Sequence, residues 1–252
     1  MTEPAREREV SEDRLLGGRV VLRQPRSGYR VAIDPVLLAA AVPAGAVETV
    51  LDIGCGVGAA LLCLAARVAG CRITGIEAQR ELVRLASENI DLNQVQGRVV
   101  AMAGDLLRPP PRLEPGSFGH VMANPPCLEA GAATASPLPR KAAAMVEGEA
   151  DLAAWVRFAL AMVRPKGSLT FIHRADRMEQ LLAQLMGRAG EITVFPLWAG
   201  SDKSAKRVIV RARKGVETPT RLTPGLVLHG ADGRYTAAAD AVLRGGAALD
   251  LS

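Results

Sequence analysis

Apolar and polar positions along the chain fall into repeated blocks, each with a period that suits a strand or a helix. Thr49 to Ile53, Arg72 to Glu77, Arg98 to Ala103 and Phe118 to Ala123 are short apolar runs that predict buried strands. Between the first three, Ala59 to Val68 and Arg80 to Asn93 carry helical spacing, and the second is strongly amphipathic. Asp151 to Val163 predicts a further helix, Pro165-Lys166-Gly167 a turn, and Ser168 to His173 a fifth strand. A helix over Asp176 to Arg188 follows, then strands over Glu191 to Phe195 and Ala205 to Ala212. This alternation predicts an α/β fold with a mostly parallel sheet and helices on both faces.

The flanks read differently. Residues 1–14 are charged and predict a flexible arm. Leu15 to Arg30 has β character, broken by a turn at Pro25 to Gly28. Asp34-Pro35 opens a helix that runs to Pro43, with Asp34 as the expected N-cap and proline at the first helical position. A Gly/Ala/Pro-rich loop covers residues 128–148. The expected organisation is an arm over 1–14, one domain over 15–214, and a tail over 215–252. The tail should hold a hairpin (Leu226 to Tyr235, around Asp232-Gly233) and a short helix.

Composition narrows the function classes. Aromatic residues are only 3% of the chain, so Ala, Val and Leu must fill the core. The net charge of +5 suits a polyanionic partner such as RNA, and suits an ordinary basic surface as well. Cys55, Cys63, Cys71 and Cys127 show neither metal-ligand spacing nor a disulfide framework, which points to a reducing cytoplasm. His120, His173 and His229 are scattered, so no metal role is expected, and His173 reads as structural at the end of the fifth strand. Met1 to Arg14 lacks the apolar stretch of a signal peptide, and no apolar run is long enough to span a bilayer.

The chemistry concentrates at the ends of four strands. Asp52-Ile53-Gly54-Cys55-Gly56-Val57-Gly58 closes the first and opens a helix. Its glycines let the backbone turn sharply and approach a ligand. The loop also fits a dinucleotide fingerprint, because Ala59 follows Gly58. Charge separates the two readings: Asp52 would repel a pyrophosphate but favours the ammonium and sulfonium of S-adenosylmethionine. Glu77 ends the second strand, where it can accept from ribose hydroxyls, and Asp105 after the third is placed to accept from an adenine amino group. The expected cofactor set is Asp52, Gly54, Cys55, Gly56, Gly58, Glu77, Asp105 and Asn124.

Asn124-Pro125-Pro126-Cys127 ends the fourth strand. Open α/β sheets bind ligands at this edge. An exocyclic amine or amide nitrogen has a delocalised lone pair and is a poor nucleophile. The Asn124 side-chain carbonyl and the Pro125 backbone carbonyl can accept its hydrogens and aim the lone pair at a methyl group. No strong general base is needed.

With these motifs the chain resembles the class I methyltransferases that carry Asn-Pro-Pro followed by an aromatic residue. Within them it is similar to the bacterial tRNA(Val) adenine-N6 methyltransferases. Three stretches carry the resemblance: Gly28 to Ala39, the Asp52 loop through Cys127, and Ala205 to Arg211. The resemblance implies a Rossmann-like, seven-stranded sheet with an antiparallel last strand. It also implies methylation of the adenine amino group next to the anticodon of a valine tRNA. One position departs: Cys127 stands where the family usually has an aromatic residue that stacks on the target base, a contact worth roughly 1–3 kcal/mol.

An antiparallel last strand would start at the catalytic edge. Lys203, Lys206 and Arg207 are therefore expected to contact phosphate, with Arg30 as a further substrate contact, and Arg213 and Lys214 are expected at the far edge. Arg140 and Lys141 lie on the long loop. Three other readings stay open: a glutamine-amide methyltransferase acting on protein, a cofactor-holding protein with catalysis weakened by Cys127, and a nicotinamide dehydrogenase.

Overall fold

The computed structural model describes residues 10–27, 30–126 and 150–251. Two hydrophobic clusters sandwich one large sheet. Strand residues alternate between them as the period of two requires: Val50, Met122, Ile172 and Ile209 face one cluster, and Leu51, Val121, Phe171 and Val210 face the other.

The first cluster holds helices α1 (Asp34–Ala41), α2 (Ala59–Arg67) and α3 (Arg80–Leu92). The second holds α4 (Leu152–Met162) and α5 (Met178–Leu185). The central strands are β3 (Thr49–Ile53), β4 (Arg72–Glu77), β5 (Val99–Ala103), β6 (Phe118–Ala123) and β7 (Val163–Arg174). They pair in parallel in the order β5-β4-β3-β6-β7. β9 (Arg207–Lys214) then inserts antiparallel between β7 and β8 (Ala189–Trp198). The expected seven strands are thus present, with the expected antiparallel last strand. Two short strands, β10 (Arg221–Leu222) and β11 (Leu226–Val227), extend the edge by pairing parallel with β8.

Chain order and sheet order place the functional edge. From β3 the chain winds outward through β4 and β5, then returns to β6 on the other side of β3. This reversal leaves a crevice beyond the carboxyl ends of β3 and β6, the usual ligand position in such sheets. The register sets Ile53 beside both Ile76 and Ala123, so the residues that follow each strand converge there.

Both flanks differ from the sequence expectation. Val10 and the residues after it do not belong to an arm: β1 (Val10–Leu15) pairs antiparallel with β2 (Val20–Pro25). Charged residues obscured this strand because it is a half-exposed edge. Residues 1–9, the rest of the expected arm, lie outside the described residues. In the tail, the turn at Asp232-Gly233 carries one isolated bridge, His229 with Tyr235, rather than a two-stranded hairpin. α6 (Ala237–Leu243) follows, and Leu249 N–H donates to Ala40 C=O, which lays the tail against α1. Arg19 on the hairpin donates to the Arg244 and Gly245 carbonyls, so the two flanks meet.

Away from the crevice, His120 bridges Ser168 (2.7 Å) and Glu48 (2.9 Å), and Glu48 also pairs with Arg164 (3.2 Å). These groups tie the amino-terminal ends of β6 and β7 to the loop before β3.

At Gly75, in the middle of β4, the sheet and the loop after β3 approach closely. A Cβ there would stand 2.7 Å from Cys55 Sγ and 2.7 Å from Leu61 Cδ2. Gly75→Ala should destabilise the fold by about 1–3 kcal/mol through overpacking. Gly97→Ala, with nothing within 4 Å, should be close to neutral. Denaturant midpoints of the two variants measure the difference.

Candidate functional site

The crevice is a cleft of about 570 Å³. The loop after β3 forms its floor. Gly54, Gly56 and Gly58 all have positive φ, at 67°, 56° and 90°. Gly54 needs this freedom twice over, because a Cβ there would also collide with the Trp155 ring. Gly58 sits at the N-cap of α2 in left-handed geometry and does not line the cleft. Cys55 N–H donates to Ile76 C=O (3.0 Å) and Gly58 N–H to Cys55 C=O (2.9 Å), which ties the loop to β4 and closes its turn.

Five acidic residues line the cleft, Asp34, Asp52, Glu77, Glu81 and Asp105, against one basic residue, Arg207, among the described residues. The chain as a whole carries +5, so this acidity is local. Asp52 is 2% exposed, and its Oδ2 has no hydrogen-bond partner. Burial first, and then the neighbouring Glu77 charge, push its carboxyl up to about 8. Glu77 is 8% exposed and is also raised by burial. It accepts from Gly56 N–H (3.0 Å) and Gln79 N–H (2.9 Å), which hold the charged form. Of the pair, Glu77 therefore ionises first and Asp52 keeps its proton. Asp105 is more open; it accepts from Leu107 N–H (2.9 Å) and faces Arg108 at 3.6 Å.

Across the floor, Asn124, Pro125 and Pro126 continue β6 into the cleft. Ala123 pairs with Ile53 on one side and Phe171 on the other, so Asn124 stands level with Gly54. Cys127, and with it Tyr29, Arg140 and Lys141, lies outside the described residues.

The cleft therefore brings together Asp52, Gly54, Cys55, Gly56, Glu77, Asp105, Asn124, Pro125, Pro126 and Arg207 of the expected set. Arg207 lines it already paired, its Nε donating to Asp34 Oδ2 at 3.0 Å. This corrects the reading of Asp34 as an N-cap. Ile33 C=O accepts from Leu37 N–H, so the helix starts one residue earlier and the Asp34 carboxylate is drawn to Arg207. Arg30 does not reach the cleft; its guanidinium is held by Ser11 (2.8 Å) and Asp13 (2.7 Å) on β1. Lys203 and Lys206 are exposed and lie in the turn that leads into β9, outside the lining. Arg213 donates to Lys166 C=O and Lys214 to Val163 C=O, at the far edge as expected. His173 is fully buried at the end of β7, and burial, followed by Arg177, Arg207 and Arg174, lowers it to about 4, so its ring is neutral at pH 7.

Two lining residues gave no sequence signal. Gln24 is 2% exposed and bridges Asp13 (2.8 Å) to Val31 N–H (2.8 Å), which fixes the segment above the cleft. Trp155 is the one aromatic residue among the described lining residues, and nothing in the apolar face of α4 set it apart.

Comparison with known proteins agrees with this fold. A family model described as the Methyltransferase small domain matches residues 30–193. The tRNA1(Val) (adenine(37)-N6)-methyltransferase of Erwinia tasmaniensis is 29% identical over 215 residues, 84% of this chain and 86% of that protein. The protein of the same name from Tolumonas auensis is 28% identical over 163 residues, so that this chain spans 65% of its length. Among solved structures, a predicted O-methyltransferase from Agrobacterium tumefaciens superposes with a TM-score of 0.72 at 23% identity, covering 86% of this chain and 98% of that one. That match shows the fold.

Asp52 makes stability depend on pH in a defined direction. Its carboxyl rises from 3.8 to about 8 on folding, so its contribution is full below 3.8 and is lost as pH climbs through about 8. Asp52→Asn has no such loss. Its melting temperature relative to wild type should be higher at about pH 8.5 than at about pH 5. An equal difference at both would mean that Asp52 is not held protonated.

Proposed function

The chain belongs to the Methyltransferase small domain family, and from that premise we propose that it transfers a methyl group from S-adenosylmethionine to an exocyclic amino nitrogen, adenine N6 in tRNA. The acidic lining of the cleft carries this reading. The ionised Glu77 and the other acidic residues of the lining, beside a buried Asp52 whose Oδ2 is unpartnered, fit a cationic ligand and oppose a pyrophosphate, which disfavours a nicotinamide dinucleotide.

The residues present fit the cofactor by chemistry. Asp52, ionising as a cation arrives, would supply a counter-charge for the sulfonium and the ammonium. Glu77 keeps lone pairs for ribose hydroxyls beyond the two backbone donors it already accepts. Asp105 would accept from the adenine amino group, and the backbone of Gly54 to Gly58 leaves room for close approach. Bound there, the cofactor supplies an electrophilic methyl group on sulfur.

The chain's own residues prepare the nucleophile. The Asn124 side-chain carbonyl and the Pro125 carbonyl accept the two amino hydrogens and hold the nitrogen lone pair toward the methyl group. These contacts strengthen as positive charge develops on nitrogen, which is what accelerates the step. The Asp34–Arg207 pair closes the wall on the β9 side, and Lys203 and Lys206 beside it serve as phosphate contacts for an RNA strand. The relatives named as tRNA1(Val) (adenine(37)-N6)-methyltransferases support adenine in tRNA as the target over a glutamine amide.

Labelled methyl transfer tests the proposal. Purified protein and unmodified tRNA should yield N6-methyladenosine, and release factor should stay unlabelled. Asn124→Ala should lower kcat by about 10²–10³-fold with cofactor affinity nearly unchanged, whereas Asp52→Ala and Glu77→Ala should weaken cofactor binding. Equal loss of cofactor binding in all three would overturn this division of roles.

A further inference from the structure

Two asparagines, Asn89 on α3 and Asn93 at its C-cap, replace a missing strand. Among the described residues the outer edge of β2 has no strand beside it, since β1 occupies the other edge. Asn89 Oδ1 accepts from Arg23 N–H (2.7 Å), and its Nδ2 donates to Arg23 C=O (2.9 Å). Asn93, one turn later, makes the same pair of bonds with Val21 (2.9 and 2.7 Å). Both side chains thus mimic the ladder of a neighbouring strand. Asn89 does one thing more. It is fully buried, and its Nδ2 also donates to Val57 C=O at 2.9 Å, inside the loop after β3. One amide therefore holds the N-terminal hairpin and the glycine loop together. The hairpin is also part of the cleft, because Gln24, Pro25 and Ser27 line it.

We propose that Asn89 is a positioning residue that couples the N-terminal hairpin to the cofactor loop, so that docking of the hairpin and occupation of the cofactor site reinforce each other. The proposal rests on the cofactor reading above. A ligand bound on the loop favours the state in which Val57 C=O keeps its donor, and in that state Arg23 is held as well. By reciprocity, a hairpin released from Asn89 weakens the ligand by the same factor. Asn93 is the internal control, since it grips the hairpin without touching the loop.

The test uses S-adenosylhomocysteine as the probe on the whole protein, with calorimetry for affinity and hydrogen exchange on β2. In wild type the probe should bind and should slow exchange across Val21 to Arg23. Asn89→Asp, which keeps the size but loses both donor bonds, should weaken binding about tenfold and abolish the slowing. It should raise KM for S-adenosylmethionine while kcat at saturation falls less than about threefold. Asn93→Leu should leave affinity within about twofold. If Asn89→Asp does not melt cooperatively, Asn89→Ser serves in its place. Wild-type affinity in the Asn89 variant, or undiminished slowing of β2 exchange, would overturn the coupling. Absence of probe binding to wild type would overturn the cofactor reading, and the coupling with it.

Discussion

Two buried carboxyl groups at the ends of adjacent parallel strands, Asp52 on β3 and Glu77 on β4, set the terms for the rest of the molecule. Neither has a cation against it among the described contacts, and each is raised by burial. Such groups are costly unless they are hydrogen-bonded or neutral. Glu77 is held by loop N–H groups, and Asp52 is held neutral. The loop that supplies a donor to Glu77 can do so only by turning through left-handed conformations at Gly54 and Gly56, and Trp155 occupies the space that a side chain at Gly54 would need. The geometry of the cleft floor thus follows from the acidic pair.

The frame that keeps these groups in place is the parallel core and its reversal at β3 and β6. Flanking segments complete it. The hairpin is fastened to α3 by Asn89 and Asn93, and to the C-terminal tail by Arg19. α1 is pinned to the start of β9 by Asp34 and Arg207. The strands deliver the motif residues to one edge, and the flanks wall that edge.

Much of this was legible in the sequence because it is local. The strand runs, the glycine loop and the Asn-Pro-Pro turn are contiguous signals, and parallel strands with helical crossovers bring their ends to one side without further information. What could not be read is non-local. Asp34 has the sequence of a cap, and only the arrival of Arg207 from the last strand shows where its carboxylate goes. Val10–Leu15 is a strand that charged residues make resemble an arm. Gln24, Asn89 and Trp155 look like unremarked members of a strand or a helix; their roles arise from partners 7 to 101 positions away. The charge of Arg30 is visible in sequence, but the Asp13 that pairs with it lies on a strand whose charged residues hide it.

The central claim is that the buried acidic pair Asp52 and Glu77, with no cation against either among the described contacts, selects a cationic cofactor. It is tested most directly by calorimetric titration of S-adenosylmethionine into wild-type protein at pH 7, in buffers of different ionisation enthalpy. The account predicts release of about one proton per cofactor bound, because the arriving positive charge drives Asp52 to ionise. Binding with no proton release would contradict it.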